Sequence, residues 1–261
     1  MSKTIHRNTE STTKVFDQRS LARDYATLVP LLRQGMRVLD VGCGTGAITK
    51  DVARYIGHTG YVIGIDNTEA FILSGRESYK DVSNLGLIHS DLFEYQSAAD
   101  FDLVICARVV QWLSDPKTAL TKLVSFLKPG GHLSLLDYNH EGLEWTPAPP
   151  ESMLIFYRAF LQWRADAGMD NRIADHVADH LKALGMHSVK VINADERYEK
   201  KQHDFIERAG IWLKVAELKQ IVEEGYLTAA MRQKAIVEYS AWLHDTAESM
   251  TMKLKDVQAQ V

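Results

Sequence analysis

Val38-Leu39-Asp40-Val41-Gly42-Cys43-Gly44-Thr45-Gly46 decides how the rest of this chain is read. A β-type run at 36–41 enters a glycine-spaced bend, and a helical segment begins near Gly46. Glycines at 42, 44 and 46 let the backbone turn sharply and let a ligand approach the main chain closely. The first turn of the following helix points free N–H groups toward that ligand. A dinucleotide fingerprint places its third glycine at 47, where this chain has Ala47, a residue that fingerprint also tolerates. Spacing alone therefore leaves the ligand open. Asp40 weighs on the question: a carboxylate two residues before the first glycine sits badly beside a pyrophosphate. It can coexist with a ligand that carries an ammonium and a sulfonium.

Working outward, further short runs dense in Val, Ile and Leu occupy 61–66, 85–89, 101–106 and 132–137. They lack strict alternation, as parallel strands covered on both faces do. The intervals hold crossover helices; the one at 115–127 starts at Asp-Pro and stops at Lys-Pro-Gly-Gly. A helical spacing of Leu21, Tyr25, Leu28 and Leu32 precedes the first strand. Alternating β and α segments predict an α/β, doubly wound sheet. Beyond it come a helix at 171–184, a strand at 187–193 and helices at 202–224 and 228–247. A closing strand at 249–257 has Met250, Met252 and Leu254 on one face. The expected organisation is a flexible lead at 1–19 and one domain at 20–261. Helical cap insertions are expected at about 139–170, which opens with Pro147, Pro149 and Pro150, and at 202–247.

Composition bounds the function. Of 261 residues 46% are hydrophobic and 25% charged, with a formal net charge of −4. That balance fits a folded globular chain and speaks against a basic nucleic-acid footprint. No apolar run nears the roughly 18 residues that span a bilayer, since Arg108 interrupts the best stretch. Two cysteines, Cys43 and Cys106, do not make a disulfide scaffold, so a reducing cytoplasmic setting is expected. His176 and His180 share one helix face at metal-ligand spacing. The neighbouring Asp175 and Asp179 favour a solvated polar face, and no metal site is expected.

The Asp-x-Gly-x-Gly-x-Gly pattern at 40–46 resembles motif I of class I S-adenosylmethionine-dependent methyltransferases. It is especially similar to the small-molecule branch that includes the ubiquinone and menaquinone biosynthesis methyltransferases. Gly64-Ile65-Asp66, Ser90-Asp91-Leu92, the run at 101–107 and Leu127-Lys128-Pro129-Gly130-Gly131 follow in that family's order. The resemblance covers about residues 20–138 well and the remainder in outline. It implies a Rossmann-like sheet of seven strands with an antiparallel last strand. It also implies S-adenosylmethionine as cofactor and S-adenosylhomocysteine as product. The cofactor would contact Asp40, Gly42, Cys43, Gly44, Gly46, Asp66, Asn67, Asp91, Leu92, Ala107 and Arg108, with Tyr25 closing over it and Arg19 pairing with its carboxylate. Asp66 would take the ribose hydroxyls and Asp91 the adenine amino group. Two lesser readings stay open: Asp66 as a cap for the segment starting at Thr68, and Asp91 as a surface turn residue. Arg108 suits the methionine carboxylate, an anionic substrate or solvent.

The implied chemistry is methyl transfer to an O, N or C acceptor on a small molecule. Where the acceptor holds a proton, a base is needed, and His140 has the suitable pKa. Gln111, Trp112, Tyr138 and Asn139 are expected to line the acceptor pocket. The stripe Met153, Phe156, Phe160, Trp163 is either core or a wall of that pocket. The base-methylating Asn/Asp-Pro-Pro-aromatic element is missing after the fourth strand, where Ala107-Arg108-Val109-Val110 stands. Three rival readings remain: a nicotinamide oxidoreductase, a non-catalytic cofactor-binding module, and a methyltransferase acting on protein or RNA.

Overall fold

The computed structural model describes residues 18–98 and 100–261. Of the lead expected at 1–19, residues 1–17 lie outside the described residues. The expected leading helix is instead a single turn, α1 (Leu21–Asp24), followed by a 3₁₀ segment, Ala26–Leu31. Tyr25, at φ −152°, interrupts the helix. Leu21, Tyr25, Leu28 and Leu32 are nonetheless all buried, so the spacing marked the right face although not the right conformation.

The sheet is built from β1 (Arg37–Val41), β2 (Tyr61–Asp66), β3 (Leu85–His89), β4 (Phe101–Ala107) and β5 (Leu127–Thr146), then β6 (His187–Asn193), β7 (Glu196–Glu199) and β8 (Ser249–Gln260). Between them run α2 (Ala47–Ile56), α3 (Glu69–Ser78), α4 (Pro116–Val124), α5 (Glu151–Asp166), α6 (Ile173–Ala183), α7 (Phe205–Ala209), α8 (Ile211–Ala216), α9 (Gln220–Glu223) and α10 (Ala229–Asp245). Strand order is β3-β2-β1-β4-β5-β8-β6, the doubly wound arrangement expected. β1 to β5 are parallel, while β8 runs antiparallel between β5 and β6. An eighth strand, the short β7, pairs with β8 outside this path. Strand order reverses at β1/β4, the switch point beyond whose carboxyl strand ends sheets of this kind take their ligands.

Two boundaries need correction. Residues 139–146, assigned to the first cap, continue β5 and pair with β8 through Glu144–Thr251, Trp145–Met250 and Thr146–Ser249. A register irregularity between Asn139 and Glu144 absorbs the mismatch. The helix expected at 202–224 is three short ones, α7 to α9, with Gly210 at the first junction. α4 starts where its sequence signals put it: the Asp115 carboxylate accepts the Thr118 N–H at 3.0 Å and Pro116 fills the first turn.

Two apolar cores flank the sheet. One, under α4 and α6, gathers Leu120, Leu123, Ile173, Val177 and Leu181 against β4 and β5. The other runs from Tyr25 and α2 into the cap, joining Val52 and Ile56 with Met153, Phe156, Trp212 and Tyr239. The cap thus shares a core with the sheet rather than resting on it.

Glycine 75 sets the distance between α3 and the first bend. A Cβ there would lie 2.1 Å from the Thr45 carbonyl oxygen. Gly75→Ala gains helix propensity but must push main chain aside, so a net loss of about 1–3 kcal/mol in urea denaturation is expected.

Candidate active site

The bend after β1 is held by its own backbone. Gly42, Gly44 and Gly46 have φ of 74°, 59° and 83°, the left-handed region that favours glycine. The N–H groups of Gly42 and Cys43 both donate to the Ile65 carbonyl, at 2.8 and 3.0 Å, tying the bend to the end of β2. Space matters as much as angle: a Cβ at 42 would lie 2.2 Å from Val109 Cγ2. One at 46 would lie 2.9 Å from Leu87 Cδ2. Cys43 packs its sulfur on Gly64, and burial pushes its thiol pKa up, so it fills space rather than reacts.

Asp66 ends β2 with both oxygens engaged. Oδ2 accepts the Gly44 N–H and Oδ1 accepts the Thr68 N–H, each at 2.9 Å. A carboxylate offers about four lone-pair sites. Its capping bond to Thr68 is therefore compatible with further hydroxyl donors, and the two readings of Asp66 coexist. Asp91 accepts the Phe93 N–H at 2.8 Å in the turn after β3, with Leu92 buried beside it; Asn67, after β2, is exposed. Asp40 is buried and faces α2, accepting the Thr49 hydroxyl at 2.6 Å.

Beyond β4, Ala107 is half-buried and Arg108 takes the left-handed φ of 62°. Arg108 is buried rather than solvated. Its Nε donates to Tyr138 Oη at 2.9 Å, and Nη2 donates to the Asp24 carbonyl at 3.0 Å and to the Glu196 carboxylate. Burial opposes its charge, but Tyr138 and Glu196 more than offset this and raise its pKa. Arg19 is half-buried close by; its pKa is lowered by burial and then by the charge of Arg108.

Gln111 joins the next layer. Its N–H donates to the Asp137 carboxyl at 3.1 Å, and its Nε2 donates to the Arg108 carbonyl at 3.2 Å. Its carbonyl accepts from Arg164 at 2.8 Å, and its Oε1 meets His140 Nε2. With Oε1 as acceptor, Nε2 carries the proton and Nδ1 is left bare. His140 is buried among the rings of Tyr138, Phe160 and Trp212, at 5.4, 5.9 and 6.2 Å. Burial, then Arg164, holds its pKa well below the ordinary range, so it is a neutral imidazole. Burial pushes Asp137 up to about 7.

Two expectations fail. Tyr25 does not close over the crevice; its hydroxyl lies 2.9 Å from Ser134 Oγ deep in the core, and Ser134 donates onward to Asp256. Asn139 points away from the acceptor side. Successive strand residues face opposite ways, so Tyr138 and His140 share a face while Asn139 bonds Asp175 on α6 at 2.8 Å. Trp112 is half-buried beneath the Arg164 guanidinium. A cleft of about 320 Å³ lies to the side, lined by Asp24, Leu136, Glu196 and Arg208 among others. Its charges are paired, Arg208 with both Asp24 and Asp204, so it carries no one-sided field.

The family described as "Methyltransferase domain" matches residues 32–210. This chain belongs to that family. A demethylmenaquinone methyltransferase of Staphylococcus saprophyticus is 34% identical over 107 residues, 41% of this chain and 46% of that protein. The trans-aconitate 2-methyltransferase of Azoarcus sp. is 31% identical over 170 residues, 62% of this chain and 65% of that protein. The chain thus spans less than half of the first relative and just under two thirds of the second. A SAM dependent methyltransferase from Aquifex aeolicus superposes with a TM-score of 0.55 at 17% identity, over 96% of this chain and 97% of that one. That likeness is one of fold.

In this methyltransferase domain several site-forming residues were not legible in the sequence. Arg164 and Trp212 belong to the cap, and Glu196 to a strand too short for a periodic signal. Arg164 had one clue, its place four residues after Phe160 beside the apolar stripe. The stripe itself, Met153, Phe156, Phe160 and Trp163, is fully buried, and Phe160 forms the wall against His140. Among the described residues no group of three or more His, Cys, Asp or Glu side chains is placed to hold a metal. His176 pairs with Asp170 at 2.6 Å instead.

Burial pushes the Asp40 carboxyl up to about 7. An acid whose folded pKa exceeds its unfolded value of about 3.9 stabilises the fold fully at low pH. That contribution is lost as pH rises from about 4 through about 7. Asp40→Asn fixes the neutral form and retains an acceptor for Thr49. It should flatten the fall in urea-denaturation stability across this window; an unchanged pH slope would show that Asp40 does not ionise on unfolding.

Proposed function

We propose that this chain is an S-adenosylmethionine-dependent methyltransferase of the class I type, acting on a small molecule. The observation that carries the reading is the Asp66 carboxylate clamped between the Gly44 and Thr68 N–H groups at the open end of β1 and β2. A carboxylate fixed in this way, with lone pairs remaining, fits a ribose diol lying along a glycine bend. The bend at 42–46, with Asp66 and Asn67, would hold the sugar, and Asp91 and Leu92 the base. Ala107 and Arg108, with Arg19, would meet the amino-acid end. Asp40 and Cys43 support the bend from behind.

Bound there, S-adenosylmethionine supplies a methyl group on a cationic sulfur, with S-adenosylhomocysteine as product. The chain's own residues position the acceptor and handle its proton. Gln111 fixes the His140 tautomer and leaves Nδ1 as the acceptor nitrogen. Tyr138 is oriented by Arg108, and Phe160 and Trp212 exclude water. Holding the acceptor close and aligned accounts for much of the acceleration expected of such a site. The aromatic enclosure favours a small molecule over nucleic acid or protein, and the relatives named for demethylmenaquinone and trans-aconitate agree with this. Both thiols stand free, in keeping with a cytoplasmic setting.

Calorimetry with S-adenosylhomocysteine and with NAD tests the reading. Saturable binding of the first alone is expected, weakened about tenfold or more in Asp66→Asn. Binding of NAD alone would overturn it. Tight S-adenosylhomocysteine binding without methyl transfer to any of a broad acceptor panel would favour a cofactor-sensing module.

A further inference from the structure

Arg164, near the end of α5, is fully buried. Its Nε donates to Asn171 Oδ1 at 2.8 Å and its Nη2 to the Gln111 carbonyl at 2.8 Å. The guanidinium lies over the rings of Trp112 and Phe160, at 4.8 and 5.4 Å. What it lacks is a counter-charge: among the described residues no carboxylate forms an ion pair with it, and its Nη1 is buried with no partner. The charged groups that act on it from a distance are Asp137 and Asp170. Asp137 accepts from the N–H groups of Gln111 and Tyr138, and Asp170 meets the His176 imidazole and accepts the Arg172 backbone N–H. A guanidinium buried without an anion is strongly unfavourable, and burial accordingly draws its pKa down to about 10.

Two more buried atoms without partners belong to the same enclosure, His140 Nδ1 and Trp212 Nε1. Phe160 is the common wall. The His140 and Trp212 rings lie 5.9 and 5.7 Å from it, and the Arg164 guanidinium 5.4 Å. Two unpartnered donors, one of them cationic, and one unpartnered acceptor thus belong to side chains packed against the same ring. Buried polar atoms are almost always paired, and an unpaired set in one place marks a missing partner.

We propose that Arg164 anchors the acceptor, so that the site selects small molecules carrying an ionised oxygen, a carboxylate above all, beside an apolar or planar body. Trp212 Nε1 donates to the same group, and His140 Nδ1 accepts from a neighbouring hydroxyl of the acceptor. This rests on the methyl-transfer reading of the site, but it concerns a different set of residues. Arg164 is a specificity-determining residue supplied by the cap, and the geometry of its fork suits a carboxylate.

The test is calorimetry on the full chain saturated with S-adenosylhomocysteine, titrated with benzoate and with its neutral isostere benzamide. Benzoate is expected to bind at least about tenfold more tightly. In Arg164→Met, whose apolar side chain suits the stack, the ratio should fall to about one while S-adenosylhomocysteine affinity holds, and the melting temperature falls because the Gln111 carbonyl and Asn171 Oδ1 lose their donor. Equal binding of the two probes to the wild type, or binding of neither, overturns the proposal without any variant. So does a benzoate preference that survives in Arg164→Met. Failure of S-adenosylhomocysteine itself to bind would count against the methyltransferase reading instead.

Discussion

The arrangement depends on how closely main chain can approach main chain at one bend. Gly42, Gly44 and Gly46 hold left-handed angles, and the N–H groups of Gly42 and Cys43 converge on one carbonyl at the end of β2. Val109, Leu87 and α3 then close on the bend from three sides, each at a position where a Cβ would collide. The Asp66 carboxylate completes the lock by taking the Gly44 N–H. Close approach of backbone creates both the packing and the surface on which a flat, polar ligand can lie.

A second layer is organised by one polar side chain in an otherwise apolar setting. Gln111 uses every hydrogen-bonding group it has, linking Asp137, Arg108, Arg164 and His140. Such a network fixes tautomers and side-chain directions because any broken member leaves a buried group unsatisfied. It also couples the strand ends to the cap: Arg164, from α5, lies over Trp112 just beyond β4, and Trp212, from α8, packs against His140 on β5. The cap therefore contributes polarity as well as cover. Its aromatic residues make the enclosure dry, and the buried guanidinium makes it electropositive at one point.

Much of the fold was legible because the parallel strands are short, apolar and regularly interrupted. The runs at 61–66 and 85–89 coincide with β2 and β3, and the closing segment is antiparallel, as the family resemblance implied; its place beside β5 is the structure's. The misreadings have identifiable causes. Residues 139–146 mix His, Glu, Gly and Trp and carry no strand period, yet β8 is long enough to pair with them across an irregular register. Tyr25 sat at helical spacing near a ligand mouth, but its hydroxyl found Ser134 inside the sheet. Asn139 was grouped with Tyr138 by adjacency, which a strand converts into opposite faces.

What the sequence determined by itself was local: the order of strands and helices, the glycine bend, and the carboxylates at the ends of β2 and β3. Each follows from neighbours within a few residues, through backbone angles, periodicity and capping. Only the tertiary structure decided that Arg164, His140 and Trp212 share one wall, and that Arg108 is buried against Tyr138 and Glu196 rather than solvated. Those groups stand far apart along the chain. Their burial, protonation and pairing are set by which segments pack together, a property that no local pattern of residues encodes.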